Sequence, residues 1–503
     1  MNEDELTQRA KTGAIWLTCG RFASRGASIA AMVILARKLE PAAFGLVAIA
    51  EIFWNFLQGL STQGVSSSII HEKDEHKGNF DQFIAASLTL QFLFSIPVVV
   101  LGILFAPWLS RFFGFPQLIS IIVAMSLLYL VTVIEAIPNA LMRKDIKFGL
   151  LTSKNFIVAI LISGSSVLLA LLNFGVWSLV LPRIFIKPLE MIFSFYIIKL
   201  RPRLCFDFAQ WKRIFRFARS VSISYVLDFS NRNLDKFILG KMLGQSALGI
   251  YSVASSWSIW FVRNVVFSVG NVMFPLLSKV RENTERARAI LLVSIRRLFL
   301  VSSPVLIGLF LIAPEFVRVV YGQKWEGAIL PFRILLLHAW RKSITSPINS
   351  VPLAFGRPDL LAKVDMFFFP VYPVVFWIGA KFYGIPGMAL ALLVSQLVMV
   401  LVKVRISFRL INLKYQSVFL ELRGLLLSVV GMSLVVSMVR SLLDQANELS
   451  LLLIAIGSGA VSYVVFMLIF SREDVKWVLG QIISGLGNVR SMLKLSLSAS
   501  RQT

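Results

Sequence analysis

This sequence predicts an all-α integral membrane protein of about fourteen spanning helices, and three observations lead there. Hydrophobic residues fill 57% of its 503 positions and charged residues only 15%, against roughly half and about a quarter in a soluble domain. The mean hydropathy is +0.78. The apolar residues gather into blocks of about 20 or more, enough to cross a hydrocarbon core roughly 30 Å thick. The blocks do not alternate as the ~10-residue strands of a membrane barrel would. Only helices and closed barrels satisfy backbone polar groups in lipid, so the blocks are read as helices.

The first block, 13–36, follows the mixed-charge start MNEDELTQRAKTG. No small-residue cleavage pattern comes after it, so it is expected to span rather than to be removed. Blocks at 43–70, 80–106, 117–139, 150–172 and 175–198 complete a group of six. Blocks at 217–240, 247–275, 289–313, 328–354, 359–380 and 386–408 form a second six, and 423–443 and 449–470 follow. Between the two groups runs KLRPRLCFDFAQWKRIFRFARS. Here Phe208, Trp211, Phe215 and Ala218 share a helix face, ringed by Lys212, Arg213, Arg216 and Arg219. That pattern predicts an amphipathic helix at the cytoplasmic interface, held by aromatics and anionic headgroups. A similar stripe in EDVKWVLGQIISGLGNVRSMLKL predicts a second one near the C-terminus. The expected organisation is an N-terminal lobe 1–198, a linker 199–216, a C-terminal lobe 217–410, two further spans in 411–470, and a cytoplasmic amphipathic tail 471–503.

The net charge is +25. In a soluble chain this would point to nucleic acid, but the surplus lies beside apolar blocks, so no nucleic-acid partner is expected. Assigning Lys and Arg to the gaps with the N-terminus inside puts 32 on one side and 9 on the other. The positive-inside rule then places both termini in the cytoplasm.

The two groups of six repeat each other. LARKLEPAAFGLVAIA, starting at Leu35, returns 204 positions later as LGKMLGQSALGIYSVA, starting at Leu239. LFAPWLSRFF (104–113) returns as LIAPEFVRVV (311–320), and FGV (174–176) as YGI (383–385). Because the copy begins after an even number of spans, the halves share one orientation. Parallel repeats about an axis along the membrane normal are a transporter architecture, with the substrate held between the halves.

Charges inside the spans carry the candidate site. Thr18, Arg21, Arg25 and Ser28 recur at helical spacing in the first span, as do Ser224, Asp228, Arg232 and Asp235 in the seventh. Arg183, Lys187 and Glu190 do so in the sixth. Lys154, Lys236, Arg263, Arg341 and Lys342 are the other basic groups within spans, and Glu51, Glu135 and Asp365 the other acids. Ten bases thus face six acids. A central Arg costs about 2.5–3.5 kcal/mol against lipid, so Arg21 and Arg25 alone would cost roughly 5–7 kcal/mol. These faces must therefore meet other helices or water. Acids and bases could pair and lock the bundle. A surplus of cations instead suits a cavity for an anionic, phosphate-bearing ligand, which Arg grips with two parallel charge-assisted bonds.

Nothing in the sequence points to catalysis or to a cofactor. It holds no GxxxxGK[ST] loop, HExxH, paired CxxC or GxSxG, so no ATPase, metal or hydrolase site is expected. Cys19 and Cys205 have no redox or metal spacing, and His71, His76 and His338 form no ligand cluster.

LARKLEPAAFGLVAIAEIF (35–53) followed by GLSTQGVSSSIIHEKD (59–74) resembles the first helix pair of bacterial polysaccharide flippases of the Wzx type. These belong to the multidrug/oligosaccharidyl-lipid/polysaccharide exporter superfamily. SNRNLDKFILGKMLGQSALGIYS (230–252) is similar to the text that opens that family's second half. The resemblance implies two lobes around a central cationic cavity. It also implies that an undecaprenyl-diphosphate-linked oligosaccharide is moved across the bacterial inner membrane for lipopolysaccharide or exopolysaccharide synthesis. It makes Arg21, Arg25, Arg183, Lys187, Arg232 and Arg263 the expected headgroup or cavity contacts, and Asp228 and Asp235 the candidates for proton coupling. The expected partners are the lipid-linked substrate, membrane lipids, and the polysaccharide polymerase and chain-length machinery. Two rivals share the fold: a peptidoglycan lipid-precursor flippase and a cation-coupled drug exporter, the second disfavoured by Arg21 and Arg25 where an acidic cavity would be needed.

Overall fold

The computed structural model describes residues 26–71, 77–145, 147–443 and 445–481. Among them the chain is helical and has no strand. The helices are α1 (26–38), α2 (Pro41–His71), α3 (Lys77–Phe113), α4 (Leu118–Lys144), α5 (Phe148–Leu171), α6 (Trp177–Ile198) and α7 (Phe208–Phe261). A π turn (Val262–Val266) leads into α8 (Phe267–Lys279), α9 (Thr284–Leu311) and α10 (Ala313–Tyr321). After a 3₁₀ turn (Gln323–Ala328) come α11 (Ile329–Ala354), α12 (Pro358–Phe368), α13 (Val371–Leu410), α14 (Tyr415–Leu442), α15 (Glu448–Phe470) and α16 (472–481). Helices occupy the predicted blocks among the described residues, with 359–380 divided between α12 and α13; residues 13–25 of the first block lie outside the described residues.

Eight of these helices are long and apolar enough to cross a membrane: α2 to α5, α9, and α13 to α15. Large apolar side chains lie bare along them, among them Leu104, Leu434 and Val461. On a soluble protein such surfaces would drive association, whereas in a bilayer they meet hydrocarbon. The eight do not include α6, α7 or α11. α6 carries Arg183, Lys187 and Glu190, and α11 carries Arg333, His338, Arg341 and Lys342. Helices with that many polar groups are stable in a membrane only when those groups face protein or water.

The chain folds as two compact units. The first comprises Met1–Val253, Tyr321–Trp325 and Phe376–Met388; the second comprises Ala254–Val320, Glu326–Val375 and Ala389–Thr503. In the first unit, Val65, Ile69, Phe83, Ile84, Leu88, Ile137 and Ile214 form an apolar cluster from α2, α3, α4 and the start of α7. The expected interfacial helix does not stop before the seventh span, because α7 runs on from Phe208 to Gly244 without interruption. Its apolar stripe divides. Ile214 is buried and Trp211 donates through Nε1 to the Ala86 carbonyl at 3.0 Å, while Phe208 is 77% exposed and Phe215 also stays open. Of the predicted stripe, Trp211 therefore packs on α3, while Phe208 and Phe215 are left for lipid.

The repeated stretches meet in the first unit. α1 stops just before Pro41, and its counterpart is the break in α7 at Gly244, where φ is 86° and ψ is 179°. A Cβ on Gly45 would overlap the carbonyl oxygen of Gln245, and a Cβ on Gly249 would overlap that of Pro41. The offset of 204 relates Pro41 to Gln245 and Gly45 to Gly249. Each copy's glycine thus receives the other copy's carbonyl, a two-fold clasp that only hydrogen side chains permit. Each break is also braced by the other copy. Trp325 donates through Nε1 to the Ala36 carbonyl at 2.9 Å and meets Phe44 edge-on, with Lys324 3.7 Å from Glu40. Lys241 donates to the carbonyl of Phe112 at the end of α3, where Phe237 packs on Phe112 and Phe113. Gly175 (φ 56°) and Gly384 (φ 61°), which the FGV/YGI match aligns, both sit in the left-handed region at chain breaks.

In the second unit, α11 packs on α9 through small polar groups. Ser302 and Ser343 bond at 2.8 Å, and Trp340 Nε1 donates to Ser303 Oγ at 2.9 Å. α16, the described part of the predicted tail, is held by charge. The fully buried Asp474 accepts from Arg296 at 2.9 Å and Arg297 at 2.6 Å, and Trp477 lies against the Arg297 guanidinium at 4.1 Å. Residues 482–503 of the tail lie outside the described residues.

Candidate functional site

The polar face predicted on α6 forms, and it is built into a network across four helices of the first unit. Arg183, Lys187, Glu190 and Ser194 follow one another at four, three and four residues, so they stack on one side of the helix. Arg183 Nη1 donates to Glu51 Oε1 of α2 at 2.5 Å. One turn on, Lys187 Nζ donates to Glu190 Oε2 at 2.6 Å and lies 4.0 Å from Glu135 of α4.

Lys154 of α5 is the centre of the network. Its side chain is 1% exposed. Nζ donates to Glu135 Oε1 at 2.7 Å, Asn139 Oδ1 at 2.7 Å and Ser194 Oγ at 3.0 Å, and lies 3.1 Å from Glu190 Oε1. Asn139 returns its amide to Glu135 at 3.1 Å, and Ser194 donates to the Glu190 carbonyl at 2.7 Å. An ammonium has three protons to donate, and here every one has an acceptor. Burying a charge is tolerable only under such conditions.

Within this network each cation is answered by an acid. Glu51, Glu135 and Glu190 balance Lys154, Arg183 and Lys187. The sequence suggested the α6 face, but it could not show that acids on α2 and α4 answer it. The network is not sealed, however. Lys187 is 26% exposed and Arg183 31%, so both can reach a ligand while their partners hold them in place.

The other predicted residues are placed differently. Arg232 is exposed on α7, and Arg263 is exposed on the π turn in the second unit. Asp235 is buried and accepts from Tyr251 Oη at 2.7 Å, a bond that reaches across the Gly244 break. Its Oδ1 has no partner. Arg21, Arg25 and the side chain of Asp228 lie outside the described residues. Near the clasp, Phe53, Phe56, Phe229, Asn233 and Phe237 help line an apolar pocket of about 220 Å³, suited to hydrocarbon rather than to charge. Among the described residues no group of His, Cys, Asp and Glu could hold a metal.

Comparison with known proteins places this architecture. The sequence profile of the polysaccharide biosynthesis protein family matches residues 34–330. The chain is 23% identical over 399 residues to the lipopolysaccharide biosynthesis protein WzxC of Escherichia coli, covering 78% of this chain and 80% of that one. It is 25% identical over 371 residues to the succinoglycan biosynthesis transport protein ExoT of Rhizobium meliloti, covering 73% of each. Among solved structures it is similar to the lipid II flippase MurJ, with a TM-score of 0.75 at 17% identity, over 92% of this chain and all of that one. A multidrug resistance transporter of the MATE family gives a TM-score of 0.61 at 14% identity, over 77% and 94%.

Proposed function

We propose, from the premise that this chain belongs to the polysaccharide biosynthesis protein family, that it moves an undecaprenyl-diphosphate-linked oligosaccharide across the bacterial inner membrane. The product would feed lipopolysaccharide or exopolysaccharide synthesis, with the polymerase and chain-length machinery acting after it. The carrying observation is the α6 face. Two partly open cations, Arg183 and Lys187, stand in a helix too polar for the lipid-spanning set, within a fold like that of known transporters. A diphosphate and its sugars cannot enter hydrocarbon unaided. Guanidinium and ammonium groups of moderate exposure can take over the water lost by phosphate oxygens. The chain does no chemistry on its cargo in this reading and runs on a gradient or on downhill flow. Asp228 and Asp235 are the candidates for proton coupling. One bonded and one unbonded carboxylate oxygen on the buried Asp235 support that reading.

With both termini in the cytoplasm, residues 1–198 and 217–410 act as lobes and the glycine clasp lies toward the outer face. The cargo is then exposed to one side and afterwards to the other, as parallel-repeat transporters do. Relatives named for lipopolysaccharide and succinoglycan biosynthesis support the polysaccharide cargo over a cell-wall precursor.

The test is a deletion strain complemented by variants. Loss of the chain should abolish surface polysaccharide, trap its lipid-linked repeat on the cytoplasmic side, and leave peptidoglycan synthesis intact. Lys187→Gln should keep the fold, because Glu190 retains Lys154 at 3.1 Å. One charge-assisted bond to phosphate is worth about 1.5–3 kcal/mol, so translocation at equal abundance should fall roughly ten- to hundredfold. Wild-type rates in Lys187→Gln and Arg183→Gln together would remove the α6 face from the path of the cargo.

A further inference from the structure

Residues 41–59 of α2 form a spanning stretch that is covered almost everywhere, and Asn55 is the one exposed residue among them. A helix that meets hydrocarbon shows a row of open apolar side chains instead, as α3 does with Phe94, Leu101, Leu104 and Trp108. A polar side chain held open inside a span faces water or a cavity rather than lipid. The opening on α2 is therefore an opening onto a wet space.

Asn55 belongs to a row. Glu51, Asn55 and Gln58 follow one another at four and three residues, so they share one side of α2. The row starts at the ion pair that joins α2 to the α6 face, Glu51 with Arg183. α6 is the fourth helix after α2, so the two cross in the same direction. Four residues on from that pair, Asn55 comes to about the level of Lys187. The hydrogen bonds that Asn55 and Gln58 make among the described residues use their backbone carbonyls: Tyr225 Oη donates to Asn55 at 2.6 Å and Thr62 Oγ1 to Gln58 at 2.8 Å. Tyr225 also fixes this turn of α2, because its ring lies where a Cβ on Gly59 would be. The two side-chain amides are thus carried on a positioned backbone with their own donors and acceptors unused.

We infer that Asn55 and Gln58 are specificity residues that hold the sugar joined to the diphosphate of a lipid-linked cargo. A primary amide has two donors and an acceptor and no charge. Phosphate oxygens favour cations, and a hydrocarbon tail makes no hydrogen bond at all. A sugar hydroxyl donates and accepts at once, as an amide does. Reach agrees with chemistry. At 1.5 Å per residue the two amides stand about 6 Å and about 10 Å along α2 from Glu51. A diphosphate held at Arg183 and Lys187 would bring its first sugar onto them. The cargo rests on the translocation reading; the amide row rests on α2 itself.

The test uses the full chain in nanodiscs and two probes, undecaprenyl diphosphate and the same lipid carrying the host's own oligosaccharide repeat, with thermal unfolding followed across probe concentration. Wild type should bind the sugar-bearing lipid more tightly than the bare one. Asn55→Ala and Gln58→Ala should each weaken binding of the sugar-bearing lipid about two- to tenfold, the loss of one neutral hydrogen bond. Binding of the bare lipid, and unfolding without probe, should stay as in wild type. Gln58→Ala serves alone if Asn55→Ala does not fold. Variants that keep the wild-type preference for the sugar-bearing lipid, or a wild type that has none, overturn the sugar contact and leave the translocation reading standing. Equal weakening toward both lipids also overturns it, since the amides would then serve packing and not the sugar. A wild type that binds neither lipid overturns the contact together with the translocation reading.

Discussion

Gly45→Ala is expected to destabilise the protein, although alanine is the better helix former by about 1 kcal/mol. Gly45 lies inside α2 with no need for unusual backbone angles. Only the neighbouring chain forbids a side chain there. The new methyl would occupy the place of the Gln245 carbonyl oxygen, which belongs to a backbone break and cannot swing aside as a flexible side chain could. Overpacking of this kind costs about 1–3 kcal/mol and more where backbone must move, enough to outweigh the propensity gain. Gly249→Ala meets the Pro41 carbonyl in the same way and should cost a similar amount. The two changes push apart the same pair of breaks, so the clasp opened by the first is already open for the second. The double variant should therefore lose less than the two single losses added together, by about 0.5–3 kcal/mol of coupling. Gly308→Ala in α9 is the control, since a Cβ there meets nothing within 4 Å. Thermal unfolding of the four proteins decides the matter. Additive losses, or single variants as stable as Gly308→Ala, would refute the reciprocal clasp.

That clasp was partly legible before any coordinates. The match of Leu35–Ala50 to Leu239–Ala254 marks two equivalent stretches, in which Gly45 aligns with Gly249. Sequence identity does not say that equivalent breaks touch each other, and the close approach of two carbonyls to two glycines is visible only in three dimensions. The same limit governs the charges. Helical spacing placed Arg183, Lys187 and Glu190 on one face, because that relation is internal to α6. Their partners Glu51, Glu135 and Lys154 lie on other helices, as far as 132 positions away, and no periodicity links them. Counting charges per span therefore does not reveal that Lys154, Arg183 and Lys187 meet Glu51, Glu135 and Glu190 once the helices pack. The continuity of α7 was hidden for another reason. The change from the charged stretch around Trp211 to the apolar stretch beyond it marks a change of surroundings, and the backbone carries its helix through that change.

The balance around Lys154 makes the second large prediction. Lys154→Met should destabilise the protein by about 3–5 kcal/mol, the usual cost of removing one partner from a buried ion pair. Methionine fits the space and the apolar surroundings, so the loss is electrostatic. Glu135 and Glu190 are left buried with only Lys187 to share, and Lys187 reaches Glu135 at no better than 4.0 Å. Asn139 and Ser194 lose their common donor as well. Adding Glu135→Gln to Lys154→Met restores equal numbers of charges. Glu190 keeps Lys187 at 2.6 Å, and the new amide can donate to the acceptors that Lys154 served. A buried pair replaced on both sides is often close to neutral, whereas one broken on one side is not. The double variant should accordingly recover half or more of the loss. Glu135→Gln alone should be damaging in the opposite sense, with Lys154 and Lys187 then facing Glu190 alone. Unfolding of the three variants in detergent separates this from simple packing. If the double variant is as unstable as Lys154→Met, charge balance is not what the network supplies, and the fit of the lysine's stem between α4, α5 and α6 must carry the stability instead.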